Sequence, residues 1–128
     1  MPFSFDVDER SGVLHIHAFG RVDDLELRDL SERLQHEVAY VSGYPIFCDC
    51  SAVTLVLVSS GLIEALAKFA RPRTNFVAVI APSAVVFGLA RMYQVFTDPE
   101  CARIRVFAGA AEAMAWFETV AAGLTHHA

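Results

Sequence analysis

Ser59, Ser60 and Gly61 follow a β-prone run and precede Leu62, Ile63 and Leu66 at helical spacing, which places two hydroxyls at a helix start. A phosphate on either serine would meet free backbone N–H groups and the positive end of the helix dipole. An unmodified cap uses the same geometry, its oxygen accepting from an N–H two or three residues on. The plain cap is the stronger of the two readings. Asp49 closes a short β-prone run, and open α/β sheets bind ligands outside the carboxyl ends of their strands. Ser51, Ser59, Ser60, Ser83 and Arg91 are its candidate neighbours there. Against this stands local use, with Asp49 accepting N–H bonds from the loop that follows and Arg91 pairing with a nearby carboxylate. Local use is the stronger reading here too.

Other reactive side chains carry less. His15 and His17 share one strand face and could hold a transition metal with a third ligand, but no third ligand is identifiable, and histidines facing solvent or a dimer partner fit better. Cys48 and Cys50 also share a strand face, yet structural zinc wants paired C-x-x-C spacing and four ligands, so they read as small hydrophobes. No histidine is placed to make any of these serines a triad nucleophile, and no G-x-S-x-G elbow occurs. The seven glycines are spread as turn residues, not gathered in a phosphate loop. The expectation is a non-enzymatic chain with no catalytic residues, no metal and no cofactor.

The 128 residues suit one domain, expected over 1–124, with 125–128 as a flexible tail. The composition is 55% hydrophobic and 20% charged, too apolar for disorder, so the surface must be hidden by packing or association. That favours a homodimer. A net charge of -5, with Arg and Lys scattered, excludes the basic stripe that nucleic acid requires. Three cysteines make an odd set, fitting reduced thiols and a cytoplasmic location. The N-terminus lacks a secretory pattern, and the most apolar run, residues 76–90, is cut by Pro82 and too short to span a bilayer, so no transmembrane segment is expected.

The elements that must position these groups follow from periodicity. Residues 3–7 and 13–19 alternate around a turn at 9–12, which predicts a hairpin. Asp23 or Asp24 caps a helix with Leu27, Leu30, Leu34, Val38 and Val41 inward, ending near Ser42-Gly43. Residues 44–50 form a third strand. Ser59 or Ser60 opens a helix with Leu62, Ile63, Leu66 and Phe69 inward, stopping before Arg71-Pro72. Residues 75–81 read as a strand buried on both faces. Ser83 caps a helix with Val85, Val86, Leu89, Tyr93 and Phe96 inward, broken at Thr97-Asp98-Pro99. A last strand covers 103–107, and a last helix over 110–122 is anchored by Met114, Phe117 and Val120. The result is an α/β fold with a mixed, mainly parallel sheet of about five strands, an N-terminal hairpin and about four helices.

Four stretches together bring a family into view: Asp49-Cys50-Ser51, the run VAVIAP from Val77, FGLARMYQVF from Phe87 and IRVFAGAAEAMAWF from Ile104. In this order they resemble the SpoIIAA-like family of small bacterial proteins within the STAS (sulfate transporter and anti-sigma factor antagonist) superfamily, over nearly the whole chain. The resemblance implies a STAS-like fold without a catalytic constellation. Anti-sigma factor antagonists carry Asp-Ser-Ser-Gly-Leu or similar at a helix start, where a kinase phosphorylates a serine. Ser59-Ser60-Gly61-Leu62 is similar to that pattern, but Val58 stands where the aspartate would be.

The run AVTLVLV, residues 52–58, lies in a loop position and would be an aggregation hazard unless covered. One covering is a second subunit or regulatory protein, and Asp49, Ser51, Leu55, Leu57, Ser83, Phe87 and Arg91 are the candidate surface for such a partner or for a ligand. The other is a small apolar ligand entering between this segment and the helix from Ser83, an idea supported at fold level by the distant kinship of STAS and CRAL-TRIO lipid-transfer domains. The third reading is a phosphorylatable anti-sigma factor antagonist using Ser59 or Ser60.

Overall fold

The computed structural model describes residues 2–68, 75–97 and 102–126. Phe69, Arg71-Pro72 and Asp98-Pro99, invoked above, lie outside the described residues, as do the third cysteine, Cys101, and residues 127–128 of the expected tail. The chain runs β1 (Phe3–Asp8), β2 (Val13–Asp23), α1 (Asp24–Gln35), α2 (Val38–Val41), β3 (Ile46–Leu57), α3 (Ser60–Lys68), β4 (Asn75–Ile80), α4 (Ala84–Phe96), β5 (Ala102–Phe107) and α5 (Ala110–His126). The strands lie in the order β1-β2-β3-β4-β5; only β1 is antiparallel to its neighbour. The α/β class, the five-stranded mainly parallel sheet and the N-terminal hairpin agree with the sequence reading.

Local chemistry sets the hairpin. Asp8 Oδ1 accepts from the backbone N–H of Arg10 (3.1 Å) and Ser11 (3.2 Å), and Gly12 takes the left-handed conformation at φ 70° that closes the turn. These bonds, the Ser11 side chain's first, hold the Asp8 carboxyl below its usual range.

Two expectations are corrected. The predicted single first helix is two: α1 is capped by Asp23, whose Oδ1 accepts from Glu26 N–H at 3.0 Å, and ends at His36, after which Glu37 is extended at ψ 118°. The turn α2 buries Ala39, so Val38 and Val41 are 75% and 55% exposed instead of lining the core. The chain then turns at Gly43, φ 82°, near the expected stop. The second correction concerns residues 52–58, which are strand up to Leu57 and not a loop. β2 continues past Phe19 to Asp23 and supplies the ladder, Arg21 opposite Leu55, Val22 opposite Val56 and Asp23 opposite Leu57.

That long pairing contains two irregularities. Between His17 and Phe19 the partner strand advances from Asp49 to Ala52, and between Gly20 and Arg21 it advances from Val53 to Leu55. Each inserts an extra residue in β3, as a β-bulge does, and Gly20 at φ 69° meets the second. Because strand side chains alternate, each insertion reverses which residues face which side. Cys48, Cys50, Val53, Val56 and Val58 all face one way as a result.

With parallel strands in sequential order, crossovers of one hand put every intervening helix on the same face. Leu30 of α1 and Ala39 of α2 pack there with Leu14, Ile16, Ala18 and Ile46. α3 and α4 close over the same side. The opposite face is covered by α5, where Ala113 and Phe117 pack on Phe47, Ala78, Ile80 and Phe107. Expected inward residues Val85 (61%), Phe96 (39%) and Met114 (45%) are instead exposed. The last helix runs to His126, beyond the expected 122.

Candidate functional site

The α1/α3/α4 face of the sheet does not close. Between sheet and helices lies an apolar cleft of about 270 Å³. Its floor is sheet: Ile16 and Ala18 of β2, Cys48, Cys50, Val53 and Val56 of β3, Val77 and Val79 of β4. Its roof is helical: Leu27, Leu30 and Leu34 from α1, Ile63 and Leu66 from α3, Val86, Leu89 and Tyr93 from α4. Ser31, Tyr40, Tyr93 and the two cysteines are the residues with polar atoms in a lining otherwise of hydrocarbon. The cleft therefore lies between the 52–58 segment and the helix from Ser83, with α1 completing the enclosure.

Energetics make such a space conspicuous. Hydrocarbon side chains that border open space forgo the dispersion contacts that a close-packed neighbour would give them. Water is a poor occupant, because each molecule wants two to four polar partners and this wall has few.

Within the floor, Cys48 and Cys50 Sγ atoms stand 3.8 Å apart, in S–H···S contact. That contact pushes the Cys48 thiol well above the ordinary range, reinforced by burial, and draws Cys50 below it against burial and the Asp49 charge. The pair releases one proton early and one late.

The serine loop is a cap. Ser59 Oγ accepts from Leu62 N–H at 3.3 Å, and Asp24 clasps the same residue, Oδ1 accepting from Ser59 N–H at 2.8 Å and Oδ2 from its hydroxyl at 2.9 Å. A carboxylate does stand beside the serine, but it comes from α1 and not from position 58. Ser60 is the exposed first residue of α3.

The other sequence-selected residues are not gathered at one point. Asp49 Oδ1 accepts from Ser51 N–H (2.9 Å) and hydroxyl (2.6 Å), the local use anticipated. Ser83 caps α4 by accepting from Val86 N–H at 3.1 Å. Arg91 donates to Gln94 Oε1 at 3.0 Å, an amide where a carboxylate was expected, and borders a separate groove with Arg103, Arg105 and Trp116. Phe87 is half-buried, and Leu55 and Leu57 are each 49% exposed. None of Asp49, Ser51, Leu55, Leu57, Ser83, Phe87 and Arg91 lines the cleft. Sequence reasoning missed the inward valines of β3 because the two bulges break the alternation from which faces are read. His15 stacks on His17 at 6.5 Å and leans on Phe47 at 5.8 Å. Among the described residues no three His, Cys, Asp or Glu side chains converge as metal ligands.

No family model matches the chain, and no curated protein matches it either. A solved structure does: an uncharacterized protein of the DUF3478 family with a SpoIIAA-like fold from Shewanella loihica PV-4, at TM-score 0.56 and 16% identity, covering 89% of this chain and 90% of that one. With its sequential parallel strands behind an antiparallel hairpin, α1 to α4 on one face and α5 on the other, the chain has a SpoIIAA-like fold.

Proposed function

We propose that this chain is a non-enzymatic carrier or sensor of a small apolar ligand, held between the sheet and α1, α3 and α4. The observation that carries the reading is the cleft itself, roofed by three helices and floored by Val53, Val56, Val77 and Val79. Its volume of about 270 Å³ lies just below the roughly 300–1,000 Å³ of drug-sized ligand pockets, which suits a small occupant such as a medium-length acyl chain or a one- or two-ring hydrocarbon. The test is native mass spectrometry of gently purified protein together with titration of the dye N-phenyl-1-naphthylamine. A co-purified apolar adduct and dye binding displaced by decanoate are expected. Val79→Phe, which fills the cleft, should abolish both while leaving the thermal midpoint unchanged or raised. A clean apo mass with no dye binding would refute the reading.

A second reading rests on the opposite face of the β2–β3 arm, where Phe19, Leu55 and Leu57 are 43%, 49% and 49% exposed. Apolar side chains grouped on one sheet face favour self-association or a regulatory partner. Light scattering should then show a dimer that Leu55→Asp dissociates; a monodisperse wild-type monomer excludes the homodimer. For Ser59 the Asp24 clasp supports a cap over a phospho-acceptor, since a phosphate would be driven against a carboxylate.

A further inference from the structure

Two sulfur atoms share the floor of the cleft. Cys48 and Cys50 leave the same face of β3, and their Sγ atoms are 3.8 Å apart. An extended strand rises about 3.3 Å per residue, so same-face neighbours start about 6.6 Å apart and these two side chains are turned toward each other. A disulfide would need the Cβ atoms within about 3.8 Å, which that spacing opposes. A third atom bonded to both sulfurs at about 2.3 Å would subtend roughly 110° across the observed gap, an ordinary tetrahedral or pyramidal angle requiring no backbone movement.

We propose that Cys48 and Cys50 form a dithiol site that chelates a soft, thiophilic centre bearing an apolar substituent, the chemistry of a trivalent organoarsenical. The surroundings select that class. Cys48 pairs with Val79 across the β3–β4 ladder, and Val53 and Val77 complete an apolar wall, so an adduct carrying net charge would pay heavily for desolvation. A trivalent arsenic with two sulfur bonds and one carbon bond is neutral, and its hydrocarbon group occupies the cleft. Among the described residues no third ligand converges, so the third bond belongs to the incoming compound. Starting from a trivalent organoarsenic oxide of the form R–As=O, two As–S bonds form, the arsenic–oxygen double bond breaks, and both thiol protons leave with the oxygen as one water. Arsenic stays trivalent and no oxidant is consumed.

The site depends on the carrier reading only for access to the cleft, and the experiment separates the two. The full chain is incubated with phenylarsine oxide and followed by intact mass spectrometry under native conditions. One phenylarsenic group per chain is expected, retained through a monothiol wash and stripped by a 1,2-dithiol. Cys48→Ala and Cys50→Ala, each checked for native circular dichroism, should lower retention at least tenfold even though Cys101 remains. No adduct on the folded chain, or retention in both single variants equal to that of the unsubstituted chain, overturns the proposal. An adduct on a chain that binds no naphthylamine dye leaves the dithiol site standing and removes the carrier; dye binding with no adduct does the reverse.

Discussion

The two faces of one sheet are packed by opposite rules. On the α5 face a single helix lies directly on the strands, because Ala78 and Ala113, both 0% exposed, let the backbones approach and Phe117 meets Phe47 edge-on at 5.6 Å. On the other face α1, α3 and α4 share the width of the sheet, and a cleft remains between the helices and the valine-and-cysteine floor. More helices cover that face, yet it is the emptier one. Sequential strand order forces this asymmetry: it sends every crossover to one side and leaves the other to the last helix alone. The tight face is suited to holding the fold, and the loose face to holding something else.

The contrast is broken most directly by truncating one side chain on each face. Phe117→Ala should cost about 3–5 kcal/mol in urea unfolding, since it empties a close-packed site. Leu89→Ala, whose side chain borders space that is already open, should cost no more than about 2 kcal/mol because it has fewer contacts to lose. Equal losses would mean that the cleft is closed in solution.

Legibility in the sequence follows the same division. The hairpin, the caps at Asp23 and Ser83 and the strand at residues 75–81 were readable because each is written in neighbouring residues. Phe117 was readable as an anchor, and an apolar space between residues 52–58 and the α4 helix matches the place where the sequence reading looked for one. The floor was not. Nothing in the spacing of residues 50–58 announces two inserted residues, so Leu55 and Leu57 were selected for the surface while Val53 and Val56 went unremarked. The split of the first helix was hidden for a related reason: Val38 and Val41 continue the apolar period, but Glu37 turns extended and the period no longer describes a face.

At the rim of the loose face, Ser59 is held by Asp24 and caps α3. Ser59→Ala should lower stability by about 1 kcal/mol, the usual worth of a cap, and Asp24→Ala by a similar amount. The double variant should cost less than the sum, because both changes remove the same clasp. Additive losses in this cycle would show that the two residues act apart.

The smallest effect is the most local. The hydrogen bond with the Cys48 side chain draws the Cys50 thiol below its ordinary range, while burial and the Asp49 charge push the other way. Cys48→Ala removes the one lowering contribution and leaves the two raising ones, so the Cys50 value must climb. The thiolate is the reactive species, and a lowered value means more of it near neutral pH. Iodoacetamide labelling of Cys50 at pH 7.5 should therefore slow several-fold in Cys48→Ala, and the two rates should converge as the pH is raised until both thiols are ionised. Unchanged labelling at pH 7.5 would mean that the sulfurs do not share a proton in solution. Labelling that requires denaturant in both proteins would mean that the loose face is as closed as the tight one.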